Sequence, residues 1–247
     1  MNWWMKRKVL SMDEVLSIVS DAAGGLYRCI VAGGAPRDII LGAKPLDYDV
    51  FVWPIDSSQS DNHIASLVSP ALRIVSAMEE EGYETVVRPR TASMLTDSDM
   101  QVTQFSNDND MDVDVIIFRR PISPEEIIGR FDWDICMAWY DGELHGESLV
   151  RKIQRRLAIR LNRESKPFDP FKSLIRGLEF GRRYGVHMRQ EDGIFLAKAI
   201  AESWSSATTQ EGPLVGLSQA SLAAAHAWYT KKINRTLGGP NEPVGTV

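Results

Sequence analysis

The stretch VAGGAPRDIILGAKPLDYDVFVW, residues 31–53, contains the pattern that decides the fold. An apolar strand runs into Gly33 and Gly34, a short helix follows, and LDYDVFVW alternates as a second strand. Side chains two residues apart share one face of a strand, so Asp47 and Asp49 point the same way, about 7 Å apart along the chain. Two such carboxylates repel each other unless a cation, a shared proton or solvent relieves them.

A later segment, DMDVDVIIF, places two more carboxylates on one strand face by the same alternation. Asp114 lies deeper in the apolar run than Asp112, which follows the polar turn SNDND, so we expect Asp114 to be the third member of the acidic group. Carboxylates that no His or Cys accompanies are typical of a Mg²⁺ site rather than a zinc site. All four histidines are isolated in the sequence.

The glycine pair predicts a phosphate site. A glycine turn before a helix leaves backbone N–H groups unobstructed, and these can cradle phosphate oxygens. The run is neither a Walker A loop nor a Gly-x-Gly-x-x-Gly fingerprint, and a glycine pair alone is most often a simple turn. Its short distance from the Asp-x-Asp pair favours binding, and a phosphate beside a metal suggests a nucleoside triphosphate (NTP).

The composition is that of an ordinary globular protein. The 247 residues are 44% hydrophobic and 25% charged, with a net charge of −5, which allows one large domain or two small ones. No apolar run approaches the roughly 18 residues of a membrane helix, and the first residues lack the pattern of a secretory signal. We therefore expect a cytoplasmic protein without a membrane partner. Both cysteines lie in apolar strand-like runs, which predicts buried, reduced thiols.

The order of the elements predicts a mixed strand and helix region followed by helices only. SMDEVLSIVSDAAGG begins with a capping box, Ser11 with Glu14, and FDWDICMAWYDG is expected to close the sheet as a strand. Predicted helices then cover 149–163, 169–185, 189–204 and 217–236. The predicted domains are 1–146, a helical domain over 147–236, and a flexible tail over 237–247.

The motifs resemble those of a known superfamily. GGAPRDIILG followed by DYDVF is similar to the Gly-Gly-x-x-Arg-Asp-x-x-Leu-Gly … Asp-x-Asp signature of the DNA polymerase β-type nucleotidyltransferases, in the branch of CCA-adding enzymes and bacterial poly(A) polymerases. GRFDWDICMAWYDG and FDPFKSLIRGLEFGRRYG resemble two further motifs of that branch. The resemblance covers about residues 26–185 and implies an α+β fold, in which a mixed polymerase β-like sheet with flanking helices precedes a small helical domain.

The resemblance also implies a reaction and a set of site residues. The reaction is transfer of a nucleoside monophosphate from an NTP to an acceptor hydroxyl. It uses two Mg²⁺ ions, and Mn²⁺ could replace them. Asp47 and Asp49 would be metal ligands and Asp114 the third carboxylate. The implied nucleotide-binding residues are Gly33 and Gly34 at the triphosphate, Arg37 and Asp38 near the sugar and phosphates, Arg130 and Asp132 beside the nucleotide, and Asp169 and Lys172 at the base.

Four positions depart from the pattern of that branch. Phe131 and Cys136 stand where Arg and Asn are usual, and Phe168 and Lys172 stand where Glu and Arg are usual. Lys172 changes the donor geometry at the base, and Phe168 can only stack or pack. These departures predict relaxed or altered nucleotide choice.

Charge is distributed unevenly along the chain. Residues 77–147 hold 17 acidic and 5 basic residues, whereas residues 151–189 hold 12 basic and 3 acidic ones. The basic segment is either a groove for an RNA acceptor or a set of solvated helix faces, in which case Leu174, Leu178 and Phe180 pack inward.

Three functions stay open from the sequence. The first, and the one we expect, is transfer to an RNA 3′ end such as that of tRNA, which the basic segment favours. The second is nucleotidylation of a protein or small molecule, and the third is a non-catalytic nucleotide-binding module.

Overall fold

The computed structural model of the chain describes residues 10–56, 65–86, 100–107, 111–165 and 169–209. The chain divides into two compact units, Met1–Ile200 and Ala201–Val247. The predicted helix over 217–236 and the predicted tail over 237–247 lie outside the described residues, and the predicted domain boundary after residue 146 stays a prediction.

A seven-stranded mixed sheet forms the centre of the first unit. Its strands are β1 Tyr27–Ala32, β2 Asp47–Pro54, β3 Glu84–Val86, β4 Met100–Ser106, β5 Asp112–Phe118, β6 Trp139–Tyr140 and β7 Leu144–His145. They lie in the order β3-β4-β5-β2-β1-β6-β7. β2 and β5 are parallel, and the other neighbours are antiparallel. This confirms the predicted α+β class with a mixed sheet.

The described residues also form helices. They are α1 Met12–Ala23, α2 Gly34–Ile40, α3 Ala65–Glu80, α4 Pro124–Ile128, α5 Glu147–Arg156, α6 Pro170–Tyr184 and α7 Gln190–Thr209. The predicted capping box begins α1, where Ser11 Oγ accepts a hydrogen bond from the Glu14 backbone at 3.3 Å and Glu14 Oε2 accepts one from the Ser11 backbone at 2.8 Å. None of the described helices is long and apolar enough to cross a membrane.

Strand alternation separates the two faces of the sheet. On one face, Val50 and Val115 belong to a buried core that includes Val15 and Val19 of α1 and Ile74 of α3. On the other face lies a second apolar cluster, which contains Ile30, Phe51, Trp53, Ile116, Phe118 and Ile127. Odd-numbered β2 residues and even-numbered β5 residues share this second face. The carboxylates of Asp47 and Asp49 therefore lie on the same face of the sheet as the second cluster.

The predicted closing strand is mostly not a strand. Asp134–Cys136 forms a short 3₁₀ helix, and only Trp139–Tyr140 pairs in the sheet. Trp133, Ile135 and Cys136 are all buried, a pattern that a strand with one solvent-facing side does not give. Cys136 therefore lies in a turn of helix rather than a strand. Both cysteines are free thiols, as expected, and Cys136 is buried, but the prediction of burial is wrong for Cys29, which is only partly buried.

The predicted helix over 149–163 is too long, because α5 ends at Arg156. Leu157 adopts a left-handed conformation with φ 52°, which stops the helix. Its carbonyl accepts a hydrogen bond from the His187 backbone at 2.8 Å. The next two residues, β8 Ala158–Ile159, pair in parallel with β9 His187–Met188. Tertiary hydrogen bonds thus override the helical pattern here.

Candidate active site

The glycine turn lies directly against the two carboxylates of β2. Gly33 has φ 85° and ψ −115° and caps the start of α2. A Cβ atom placed on Gly33 would lie 3.6 Å from Asp49 Oδ2, and one placed on Gly34 would lie 3.5 Å from Asp47 Oδ1. The Gly33 amide donates to the Ala138 carbonyl at 3.0 Å. This amide therefore fixes the turn, and the missing side chains leave space beside the carboxylates.

The third predicted carboxylate lies on the neighbouring parallel strand. The register pairs Asp47 with Asp112 and Asp49 with Asp114, and all four side chains are half-buried. Asp114 Oδ1 accepts a hydrogen bond from Gln104 Nε2 at 2.6 Å. Asp47, Asp49 and Asp114 thus share one face of two adjacent strands.

The donor set of this face suits a hard cation. Among the described residues, no group of three or more His, Cys, Asp and Glu side chains is arranged to hold a metal ion, so the carboxylates do not form a closed cage. Mg²⁺ characteristically binds through one or two carboxylates together with substrate phosphates, and it keeps several water ligands. The half-buried oxygens of Asp47 and Asp49 beside the open glycine turn fit that mode of binding.

Arg37 and Asp38, predicted near the sugar and phosphates, are buried between α2 and α6. Arg37 is 6% exposed and donates from Nε and Nη2 to Asp38 Oδ1 at 2.9 and 2.7 Å. Asp38 also pairs with Arg183 at 2.9 Å and accepts a hydrogen bond from the Tyr184 hydroxyl. These contacts are with protein groups and join α2 to α6. We therefore interpret the two residues as a support of the glycine turn, since Arg37 Nη2 lies 3.6 Å from the Cβ position of Gly34.

Cys136, which stands where the related motif has Asn, belongs to the same support. Arg37 Nη1 contacts its Sγ at 3.2 Å. Burial raises the pKa of the Cys136 thiol to about 11, although the Arg37 charge acts in the opposite direction. The thiol is therefore protonated at neutral pH, and a nucleophilic role has no support.

Asp132 is buried against α6. Its Oδ2 accepts a hydrogen bond from Ser173 Oγ at 2.8 Å, and the carboxylate pairs with Arg176 at 3.3 Å. Arg130, its predicted companion, lies over the ring of Phe118 at 5.2 Å and pairs with Glu126 at 3.4 Å.

The two residues predicted at the base lie at the beginning of α6. Asp169 is the N-cap residue and accepts hydrogen bonds from the Phe171 and Lys172 backbones, both at 3.1 Å. Lys172 Nζ lies 3.7 Å from Asp169 Oδ2. These contacts satisfy the start of the helix, and the base-reading role of both residues stays a prediction. Phe168 lies outside the described residues.

Arg176 is a candidate site residue to which none of the sequence motifs pointed. Partial desolvation acts to lower its pKa, but the negative charge of Asp132, and after it that of Asp49, outweighs this effect, so the net shift is upward. Its guanidinium thus pairs with Asp132 and also interacts electrostatically with Asp49 of the Asp-x-Asp pair. Arg176 follows Lys172 by one helical turn, and this spacing places both on one side of α6. That spacing was the signal available in the sequence.

Phe131, which stands where Arg is usual in the related motif, lies at the glycine turn. Its ring Cζ is 3.3 Å from the Cβ position of Gly33, and the ring packs edge-on against Phe51 at 6.1 Å. Asn162 Nδ2 holds this segment by donating to the Gly129 and Phe131 carbonyls at 2.8 and 3.0 Å. Nothing in the sequence motifs pointed to Asn162.

Several side chains of the basic segment are engaged in ion pairs. They include Arg151 with Glu147, Arg163 with Asp192, Arg183 with Asp38, and Arg189 with Glu191. Arg155 and Arg156 are exposed on α5. The expected inward packing of α6 is correct for Phe180 but wrong for Leu178, which is 59% exposed. The inward side of α6 consists of Ser173, Gly177 and Phe180, and Leu178 lies one residue, about 100°, off that side.

Gly33 should not tolerate a side chain. We expect Gly33→Ala to lower the free energy of unfolding by about 1–3 kcal/mol, because its backbone conformation suits only glycine, and to reduce nucleotide binding by crowding Phe131 and Asp49. Thermal unfolding and NTP titration would measure both effects. Gly42→Ala is the matched control, since Gly42 also has a positive φ, 71°, but an added Cβ meets nothing within 4 Å. Equal losses of NTP binding in both variants would contradict a role for the turn.

Comparison with solved structures identifies the fold. The chain is similar to a CCA-adding enzyme with ATP (TM-score 0.54, 16% identity, 83% of this chain and 46% of the other). It is also similar to a CCA-adding enzyme in its apo form I (TM-score 0.53, 19% identity, 79% of this chain and 43% of the other). A third similar structure is the Thermotoga maritima CCA-adding enzyme complexed with tRNA (TM-score 0.52, 16% identity, 80% of this chain and 44% of the other). The chain thus has the nucleotidyltransferase fold and spans less than half the length of these enzymes.

A sequence profile also identifies the family of the chain. The sequence profile described as Gabija anti-defense 2 family protein matches residues 7–155, more than half of the chain, and the chain belongs to that family. No curated protein sequence matches the chain significantly.

Proposed function

We propose that the protein is a Mg²⁺-dependent nucleotidyltransferase that moves a nucleoside monophosphate from an NTP to an acceptor hydroxyl. The observation that carries this proposal is the position of Asp47 Oδ1 and Asp49 Oδ2 beside Gly34 and Gly33. A triphosphate at the turn would lie next to both carboxylates.

In this mechanism, the chain supplies position and charge. Asp47 and Asp49, with Asp114 on the adjacent strand, would hold Mg²⁺, which lowers the pKa of the attacking hydroxyl and stabilises the leaving group. The guanidinium of Arg176, which pairs with Asp132 at 3.3 Å, would add positive charge near the phosphates. The acceptor oxygen bonds to the α-phosphorus as the bond from that phosphorus to the bridging oxygen breaks, pyrophosphate leaves, and the hydroxyl proton passes to solvent.

For the acceptor, we infer a protein component of the defence that the family description names. The family description names an anti-defense role, modification of a protein of that defence would provide such a role, and this reaction needs no tRNA-binding body. The second candidate, an RNA 3′ end, is favoured by the exposed Arg155 and Arg156 on α5. If these side chains bind phosphates, RNA affinity should fall steeply with salt, and their replacement by Gln should flatten that dependence.

Transfer of label separates these possibilities. The full chain would be incubated with Mg²⁺ and each α-labelled NTP, together with purified Gabija proteins or with tRNA lacking its 3′ end. We expect label on protein, whereas label on RNA would select the second candidate. Absence of label with all four NTPs and both acceptors would refute the transferase proposal and favour a non-catalytic nucleotide-binding module.

The third carboxylate should be Asp114 rather than Asp112. Asp114 is in register with Asp49 and receives the hydrogen bond of Gln104. We expect Asp114→Ala to reduce the transfer rate on the order of 100-fold, the size typical for loss of one preorganised electrostatic group, and Asp112→Ala to reduce it much less. Single-turnover rates of both variants would measure this difference, and the reverse order would assign the role to Asp112.

A further inference from the structure

Gln104 of β4 extends the acidic face by one more strand. The antiparallel register pairs Gln104 with Asp114, which in turn is paired with Asp49. Neighbouring strands lie about 4.8 Å apart, so the three side chains form a row about 10 Å long on one face of the sheet. Gln104 is the most enclosed member of this row, at 8% exposed.

The chemistry of the contact fixes which way the amide points. An ionised carboxylate only accepts hydrogen bonds, so the group that lies 2.6 Å from Asp114 Oδ1 is the amide nitrogen. The amide oxygen Oε1 therefore points elsewhere. It is buried and accepts no hydrogen bond from any described residue.

Such an arrangement is costly in a folded protein. A buried polar atom without a partner typically costs about 1–3 kcal/mol, whereas an apolar side chain at this position would carry no such cost. A Lys or Arg would also restrain Asp114, but its charge would compete with a cation for the carboxylate. A neutral amide restrains the carboxylate and leaves its negative charge available.

We propose that Gln104 is a positioning residue of the acidic site. Its Nε2 holds the Asp114 carboxylate in the row beside Asp49, in the position from which that carboxylate would bind a divalent cation. This inference rests on the proposed function only in that the acidic row binds such a cation.

Mn²⁺ binding without nucleotide or acceptor tests this role directly. The affinity of the full chain for Mn²⁺ would be measured by electron paramagnetic resonance for the wild type, Gln104→Met and Gln101→Met. Loss of an outer hydrogen bond to a metal ligand typically weakens metal binding 10–100-fold, and we expect a loss of this size for Gln104→Met. Gln101 lies on the same strand but pairs with Ile117, on the other face of the sheet, and its replacement should leave the affinity unchanged.

A double-mutant cycle distinguishes positioning from a general effect on the fold. In the Asp114→Ala background, Gln104→Met should have no further effect on Mn²⁺ affinity, because it acts through Asp114. An equal loss in both backgrounds, or wild-type affinity in Gln104→Met, would overturn the proposal. If Gln104→Met does not fold, Gln104→Asn, whose amide ends one methylene short, replaces it in the same cycle. Since the cycle requires no turnover, a lack of transfer activity would refute the proposed function and leave this test valid.

Discussion

We expect Asp49→Asn to reduce nucleotidyl transfer by about 10³-fold or more while the protein stays folded. The substitution removes one charge from the site where Mg²⁺ would bind the triphosphate, and such charges contribute several kcal/mol to catalysis. It also relieves the repulsion between Asp49 and its neighbours Asp47 and Asp114, so the melting temperature should stay the same or rise. Asp47→Asn should behave alike. Transfer rates at saturating Mg²⁺ and thermal unfolding curves measure the two parts of this prediction.

The matched control for this experiment is Asp21→Asn. Asp21 is exposed on α1, which packs on the opposite face of the sheet, and its replacement should leave the transfer rate unchanged. If the Asp-x-Asp pair only shaped a turn, Asp49→Asn would lower the melting temperature and leave the metal dependence of any activity unaltered. That result would contradict the catalytic interpretation of the pair.

The parts of the site that could be predicted from the sequence follow from local rules. Strand alternation alone placed Asp47 and Asp49 on one face, and the capping box at Ser11 began a helix where it was expected. The register of β2 with β5 agrees with the grouping of Asp114 with that pair. The alternation and the capping box depend on residues close together in sequence, whereas the pairing of β2 with β5 joins distant segments and was expected from the motif resemblance.

The parts that could not be predicted depend on contacts between distant segments. Tyr184 and Asp38 are 146 residues apart, and no periodicity indicates that they meet. The same holds for Asp132 with Arg176, which are 44 residues apart. Trp133, in the segment that was expected to form the closing strand, donates from its indole Nε1 to the Ser173 carbonyl at 2.9 Å. Tertiary packing against α6 thus decides the local structure at each of these positions.

These contacts link α6 to the glycine turn by two routes. In the first route, Tyr184 donates to Asp38, which pairs with Arg37 beside the glycine turn. In the second, Ser173 and Arg176 bind Asp132, which is the residue next to Phe131. The helix that carries Arg176, which pairs with Asp132, is thereby fixed to the loop that would hold the triphosphate. Preorganisation of this kind is what a reaction that depends on position and charge requires.

The largest loss of stability should come from the buried ion pair of α2. We expect Asp38→Ala to lower the free energy of unfolding by about 3–5 kcal/mol, because it leaves the buried Arg37 guanidinium without its carboxylate. For a chain of this size, the melting temperature should fall by roughly 10 °C.

Glu147→Ala is the control, since its ion pair with Arg151, at 2.6 Å, is half-exposed and contributes about 1 kcal/mol or less. The double variant Arg37→Met with Asp38→Leu should recover most of the lost stability, because an apolar pair of similar volume avoids the cost of burying two charges. Equal losses of unfolding free energy for Asp38→Ala and Glu147→Ala in denaturant would show that the ion pair of Arg37 and Asp38 does not stabilise the contact between α2 and α6.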